Sequence, residues 1–354
     1  MRISAATLYA YLPTSLQNLA CSLVGYHIKQ TRFDSAFHAM LNQYRSRSSD
    51  STVQVTKYQN SRLETFLRVM GKTRNDLQHH PILTKTQIQS SAFLPSYLPL
   101  SRLVPIHTSG TTGAGLRFYA TRQAIQEQWA VWWRYRNWHG IPFNEKCGYF
   151  GGRTIVPIKQ REPPFWRSNW AGNQILFSGY HMSPDNLRFY IDALNRYQPP
   201  WIHGYPSNIA LLAAYSLQNN RPLNYPLKWI TTGAENLLEQ QRLLIEKAFH
   251  VRPRQHYGMA EAVANISECP LGNLHVDEDF AYVEFIPADD GNGHRIIGTN
   301  FTNPAFPLIR YDTGDHAQIS NRTCSCGRPG RIVDTIDGRQ EDYILLKDGR
   351  RIGR

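Results

Sequence analysis

Between Tyr58 and Met70 (YQNSRLETFLRVM) the apolar residues Leu63, Phe66, Leu67 and Met70 recur at helical spacing, which predicts an amphipathic helix. Residues 1–100 as a whole read as helical and polar, punctuated by Pro81 and by Pro95 to Pro99. Between Gln123 and Trp138, Trp129, Trp132, Trp133 and Tyr135 return at helix-like intervals. An aromatic stripe of this kind predicts a core-facing helix rather than a platform for nucleic-acid bases. From about residue 147 short apolar runs alternate with helical stretches. CGYFGG, WIHGY, LKWITTGAE and RPRQHYG read as strands, and Leu187–Tyr197, Ile209–Leu217 and Leu237–Phe249 as helices. Strands separated by helices of about ten residues imply parallel pairing through crossovers. From 275 onward HVDEDFAYVEFI, RIIGTNFTN, PLIRYDTGD and HAQIS read as successive strands with little helix between them. The expected fold class is therefore α/β: mostly parallel wound sheets with helices, plus an antiparallel or barrel-like subdomain near the C-terminus.

Composition narrows this without choosing a partner. The chain has 354 residues, 41% hydrophobic and 19% charged, with 24 Gly and 21 Pro scattered without period, which excludes a collagenous or wholly disordered chain. No apolar run approaches the ~18 residues of a transmembrane helix. The start is superficially signal-like, with Arg2 near the front, but Pro13, Gln17 and Asn18 interrupt its apolar stretch. Five cysteines, an odd number, argue against a secreted disulfide framework, so a cytoplasmic protein is expected. The net charge of +12 admits nucleic acid, an anionic membrane face or acidic small molecules. Its basic residues are dispersed and no docking motif accompanies them, so a solvated basic surface is the simpler reading and no specific nucleic-acid partner is expected.

The densest chemical signal is HTSGTTGAG, His107 to Gly115, following a strand-like Leu103–Ile106. Small residues let backbone N–H groups converge on an anion, and hydroxyls add donors without bulk. The segment lacks the G-K-[ST] ending of a Walker loop. Downstream stand GAE (Gly233–Glu235), YGMAEA (Tyr257–Ala262), RYDTGD (Arg310–Asp315) and DGRQED (Asp337–Asp342). With these motifs in this order, over roughly residues 80–350, the sequence resembles the large N-terminal domain of the adenylate-forming (acyl-CoA synthetase) superfamily. Within it the chain looks like the phenylacetate–CoA ligase branch and its CapK-type members of capsular polysaccharide biosynthesis.

The resemblance implies an ATP- and Mg²⁺-dependent ligase that activates a small-molecule carboxylate as an acyl-adenylate, then passes it to CoA or an amine. Thr108, Ser109, Gly110, Thr111, Thr112 and Gly113 would hold the pyrophosphate end of ATP, with Thr112 taking a catalytic part. Gly233, Ala234 and Glu235 would lie along the adenine, Tyr257 would stack on it, and Gly258 adjoins it. Glu261 would bind Mg²⁺ and act in catalysis. Asp315 would accept from the ribose hydroxyls with Arg339 nearby, and Glu341 would be the hinge. Phe150, Arg153, His203 and Tyr205 fall where relatives build the acyl pocket. Singly, each has a plainer reading: Asp315 as a turn brace, Glu261 as a helix-start carboxylate, Tyr257 as core, His203 as a satisfied histidine at a strand end.

Three departures from the family stand out. Ala114–Gly115–Leu116 replaces a proline–lysine ending, leaving Arg117 as a differently shaped stand-in. Ala260 stands where relatives carry a hydroxyl residue. The sequence stops at Arg354, twelve residues after Asp342, where the family's mobile C-terminal domain with its catalytic lysine is expected to follow. The resulting expectation is a helical region at 1–100 packed on the core, an adenylate-forming core at 101–335, and a hinge at 336–354 opening a missing domain. Either the chain is a fragment, or it is a natural truncation that depends on a partner chain for that domain or is a nucleotide-binding remnant without turnover. Finally, Cys324 and Cys326 (CSCG) and the pair Cys269 and His275 flanking a Pro270–Gly272 turn are candidate ligands of a structural zinc ion. The alternative is reduced cysteines with no metal.

Overall fold

Helix starts in the first half of the chain are written in side-chain caps. Ser51 accepts from the Gln54 amide while the Gln54 side chain takes the Ser51 N–H, and Thr73 and Asp76 repeat the arrangement before the next helix. In this computed structural model the described residues are 5–90, 98–108, 115–289, 291, 293–339, 343–345 and 351–353; side chains of 5–7 and of those beyond 337 are left aside.

In chain order the helices α1 (Ala5–Tyr11), α2 (Thr14–Arg32), α3 (Ser35–Arg47), α4 (Thr52–Val69), α5 (Arg74–His79) and α6 (Lys85–Ser90) come first. Strands β1 (Leu103–His107) and β2 (Arg117–Thr121) then precede α7 (Arg122–Trp138). There follow β3 (Cys147–Phe150), β4 (Trp166–Asn169), β5 (Gln174–Phe177), α8 (Leu187–Tyr197), β6 (Trp201–Gly204), α9 (Pro206–Gln218), β7 (Trp229–Thr232), α10 (Glu239–Phe249) and β8 (Pro253–Gly258). The remaining strands are β9 (Asn265–Glu268), β10 (Leu274–Val276), β11 (Tyr282–Pro287), β12 (His294–Thr299), β13 (Tyr311–Ser320), β14 (Ile332–Arg339), β15 (Tyr343–Leu345) and β16 (Arg351–Gly353).

The chain divides into two compact units, Met1–Asp34 with His139–Gln255, and Ser35–Trp138 with His256–Arg354. In the first unit, β5, β3, β6, β7 and the start of β8 lie side by side in parallel, and β4 closes one edge antiparallel to β5. Helices α8, α9 and α10 are the crossovers, as the strand–helix alternation predicts. Their apolar faces, among them Tyr190, Ile191, Leu194, Ile209, Leu212 and Ile245, enclose one core with Phe150 and Phe177 from the strands and Phe165 just before β4.

In the second unit the end of β8, β9, β10, β14, β13, β12 and β11 pair antiparallel, as expected for the C-terminal third. Two details differ from the sequence reading. HVDEDFAYVEFI is not one strand: Asp277 to Ala281 leave the pleat between β10 and β11. PLIRYDTGD and HAQIS, read as two strands, merge from Tyr311 onward into the single β13, in which Gly314 adopts φ +76° and pairing with β14 is irregular. Helix α4 buries Val55, Gln59, Leu63, Phe66 and Leu67, and Leu63, Phe66 and Leu67 pack with Leu77, Phe301 and Ile309. The aromatic helix α7 is inward-facing as expected: Trp133 and Tyr135 are buried, and Trp129 and Trp132 are half-buried.

Candidate functional site

Strands β1 and β2, on either side of the Gly/Thr-rich segment, pair antiparallel, His107 opposite Arg117. Ser109, Gly110, Thr111, Thr112 and Gly113 lie outside the described residues. Thr108 closes the base of the loop: its amide donates to the Leu116 carbonyl at 3.0 Å and its Oγ1 accepts the Leu116 N–H at 2.7 Å. Leu116 is buried with Phe118, Val263, Phe306, Leu308 and Tyr311, and Ile106 and Met259 pack against the same cluster. One apolar cluster within the second unit thus joins the hairpin, the YGMAE segment and the start of the YDTGD strand. Arg117 is exposed beside it.

After Tyr257 and Gly258 end β8, the chain turns at Met259–Ala262, with the Ala262 amide on the Met259 carbonyl and Ala262 at φ +55°. Glu261 sits in this turn, 5% exposed, and its backbone carbonyl accepts from Asn300 Nδ2 at 2.9 Å. Gly298 lets the following residue approach: a Cβ there would lie 2.2 Å from the Val263 carbonyl oxygen. Ala260 is exposed. The Tyr257 hydroxyl donates to Asp315 Oδ2 at 2.7 Å across 58 residues of sequence. Desolvation, then the Asp315 charge, pushes the phenol well above its ordinary pKa, so Tyr257 is a fixed neutral donor. Asp315 is buried, its amide donates to Thr313 Oγ1 at 3.0 Å, and its strand partner on β14 is Arg339. Glu341 lies outside the described residues.

The first unit holds the other predicted positions. Gly233 is buried and its amide donates to the Gly204 carbonyl at 3.3 Å; Ala234 follows at φ +67°. Exposed Glu235 accepts the Ser207 amide at 3.3 Å, at the N-terminus of α9, so its side chain serves as a helix cap in this state. His203 Nδ1 lies 2.8 Å from Thr231 Oγ1, and the His203 ring is tilted against Tyr149 at 5.6 Å. Tyr205 covers Gly152, where a Cβ would come within 2.4 Å of the phenol oxygen, and Tyr180 donates to the Gly152 carbonyl at 3.1 Å. Tyr149 and Tyr180 belong to this aromatic group and were not picked from sequence. Arg153 is exposed nearby in sequence, whereas Phe150 is fully buried and stacked on Phe177 at 4.4 Å.

The four candidate metal ligands meet. One ligand atom from each of Cys269, His275, Cys324 and Cys326 lies within 4.8 Å of all the others. Cys269 directly follows β9 and His275 lies within β10, on either side of the hairpin turn, while Cys324 and Cys326 come from the loop between β13 and β14. Cys269 Sγ is 3.8 Å from Cys324 Sγ, and Cys326 Sγ is 3.4 Å from His275 Nε2. His275 Nδ1 lies 3.1 Å from the Pro329 carbonyl, a contact that places the proton on Nδ1 and turns the Nε2 lone pair toward the thiols. Burial alone would raise the Cys324 thiol, but its hydrogen bonding with Cys326, His275 and Asn273 brings it down to about 6. Asn273, which donates to Cys324 Sγ at 3.1 Å, is a second-layer residue that no sequence signal marked.

No family model matches the chain. It is 29% identical to Protein CapK of Staphylococcus aureus, over 96% of this chain and 79% of that one. It is 26% identical to the phenylacetate-coenzyme A ligase of Thermus thermophilus, over 43% of this chain and 36% of the relative. Among solved structures, a 2-hydroxyisobutyryl-CoA ligase in complex with an acyl-AMP superposes with a TM-score of 0.58 at 17% identity, over 98% of this chain and 72% of the other. That superposition shows an adenylate-forming ligase fold. Together with the sequence relatives, it supports an adenylate-forming, CapK-like chain.

Proposed function

We propose that this protein is a cytoplasmic ATP-dependent ligase that activates a carboxylic acid as its acyl-adenylate, in the assembly of a capsular or envelope polysaccharide. The observation that carries this reading is the convergence in the second unit. The hairpin of the Gly/Thr loop, the YGMAE turn and the YDTGD strand share one apolar cluster, and Tyr257 is bonded to Asp315. A carboxylate oxygen would bond to the α-phosphorus of ATP as the bond to pyrophosphate breaks. Thr108, Ser109, Gly110, Thr111, Thr112 and Gly113 would face the departing pyrophosphate, Gly233–Glu235, Tyr257 and Gly258 the base, and Asp315 with Arg339 the ribose. Glu261 would hold Mg²⁺, which supplies charge neutralisation at the phosphate oxygens. Phe150, Arg153, His203 and Tyr205 would shape the acid's site, and CoA or an amine would accept the acyl group.

ATP–pyrophosphate exchange across a panel of carboxylic acids tests the activity. Exchange above background with at least one acid is expected, and Asp315→Ala should weaken ATP binding by roughly 10- to 100-fold, the worth of hydrogen bonds to a charged group. An unaltered ATP affinity in that variant removes the ribose role. A second reading, a nucleotide-binding protein without turnover, is favoured by Leu116, which occupies the core where the family carries a phosphate-facing cation. Tight ATP binding with no exchange against any acid would select it.

The donor set of three cysteines and one histidine fits a structural zinc ion, since soft thiolates and an imidazole match tetrahedral zinc and leave no open position. We expect about one zinc per chain by elemental analysis. Cys324→Ser or chelation should remove it and lower the unfolding temperature by roughly 5 °C or more. Protein grown with zinc that still contains none would show these to be plain thiols.

A further inference from the structure

Helix α2 is inside out. The side it packs against the first unit is polar: Gln17, Ser22 and Gly25 are buried, and Thr14, Asn18 and Cys21 are half-buried on the same side. These side chains cap the edge strand β4 and its margins. Asn18 Oδ1 accepts the Ser168 amide at 2.9 Å, Ser22 Oγ accepts the Trp170 amide at 3.0 Å, and Gln17 Oε1 accepts Arg167 Nε at 2.6 Å. Polar capping of this kind keeps an edge from pairing with another strand. The opposite side carries Leu16, Leu19, Leu23 and Tyr26 in an i, i+3, i+7, i+10 stripe, flanked by Val24, and every one of them is at least 44% exposed. Leu8 and Tyr11 of α1 and Trp170, just past β4, are exposed as well.

We propose that this stripe is a docking surface for an anionic lipid bilayer, with α2 lying in the headgroup plane. Charge selects that occupant. Met1 to Phe33 contain no acidic residue, while Arg2, Lys29 and Arg32 are basic and the whole chain carries +12. Such a surface is attracted to anionic headgroups and repels a second copy of itself. Tyr11, Tyr26 and Trp170 supply the ring type that settles at a membrane–water boundary. Among the described residues no helix is long and apolar enough to cross a membrane, so the association is peripheral. It would hold a ligase of envelope precursors beside the lipid, but the inference stands without that activity.

Flotation of the full chain with vesicles tests it. The wild type should float with phosphatidylcholine vesicles containing about a quarter phosphatidylglycerol, less with phosphatidylcholine alone, and less at high salt. Leu19→Gln/Leu23→Gln keeps charge and helix propensity, and should weaken binding roughly tenfold or more with an unchanged melting curve. Should that variant fold poorly, tryptophan quenching of the wild type by brominated phosphatidylglycerol chains gives an independent reading, with quenching expected. Three results would overturn the proposal: no binding or quenching by anionic vesicles, a folded double variant that floats like the wild type, or a wild-type dimer in sedimentation velocity that the variant converts to monomer.

Discussion

Arg134→Ala is expected to destabilise the protein by roughly 3–5 kcal/mol, because it strands two carboxylates in the interior of the second unit. The Arg134 guanidinium is buried on α7 and bridges both: Nη2 is 2.7 Å from Asp277 Oδ1, and Nη1 is 2.7 Å from Asp279 Oδ2. Asp279 also receives Arg47 Nε at 2.9 Å, and Asp277 receives the Ser267 hydroxyl at 2.7 Å and the Asn265 amide. Burial would raise the Asp279 carboxyl, yet Arg134 and then Arg47 hold it below its ordinary pKa; burial leaves Asp277 above its own. A depressed Asp279 contributes stability that is complete above its unfolded pKa and is lost as pH falls through the folded one. Removing Arg134 should therefore move the acid-unfolding midpoint upward as well as lower the melting temperature by about 10 °C. Arg134→Lys should rescue little, since an ammonium cannot span two carboxylates in one plane. Thermal and acid unfolding followed by circular dichroism measure both, and a melting point within a degree or two of wild type would show the ion cluster to be dispensable.

That cluster marks where the sequence stopped being legible. Asp277 and Asp279 flank Glu278 in HVDEDFAYVEFI, an acidic run that a reading from polarity alone puts outside. They are inside because Arg134, 143 and 145 residues away, is buried opposite them. The one local hint was an arginine within the aromatic stripe WWRYR of α7, where a buried cation demands an anion. By contrast, β3, β6, β7, β8 and helices α8 to α10 were readable because each was decided locally, whereas β4 and β5 were not read as strands. Short runs such as WIHG and WITT, led by Trp and Ile, fit strands buried on both faces, and apolar helical faces such as Leu187, Tyr190, Ile191 and Leu194 fit the cover. Which side of helix α2 faces inward was hidden for the same reason. Its leucines suggested an apolar start, and only the bonds of Asn18 and Ser22 to the edge of β4 reveal that the polar side faces in. Of the candidate site, the motifs identified the segments, but the pairing of Tyr257 with Asp315 and the approach of Cys269 to Cys324 depend on the register of β8, β13 and β14, which no local pattern encodes.

Register also sets the expectation for Glu261, the change with the greatest effect on turnover. Glu261→Gln should lower ATP–pyrophosphate exchange by about 10²–10³-fold, the worth of one well-placed electrostatic group at a phosphoryl centre. The fold should survive, because the turn is held by backbone: the Glu261 carbonyl takes Asn300 Nδ2, and the Ala262 amide closes on Met259 whatever side chain stands at 261. A magnesium ligand and a merely structural carboxylate differ in one readout, since only the former ties catalysis to metal concentration. The variant's half-saturating Mg²⁺ should rise while its melting temperature stays within a few degrees of wild type. If exchange fell but the magnesium dependence did not move, Glu261 would be positioning the turn, and the metal would belong elsewhere. If exchange were undiminished, the convergence of the hairpin, the turn and the Asp315 strand would be a feature of packing alone.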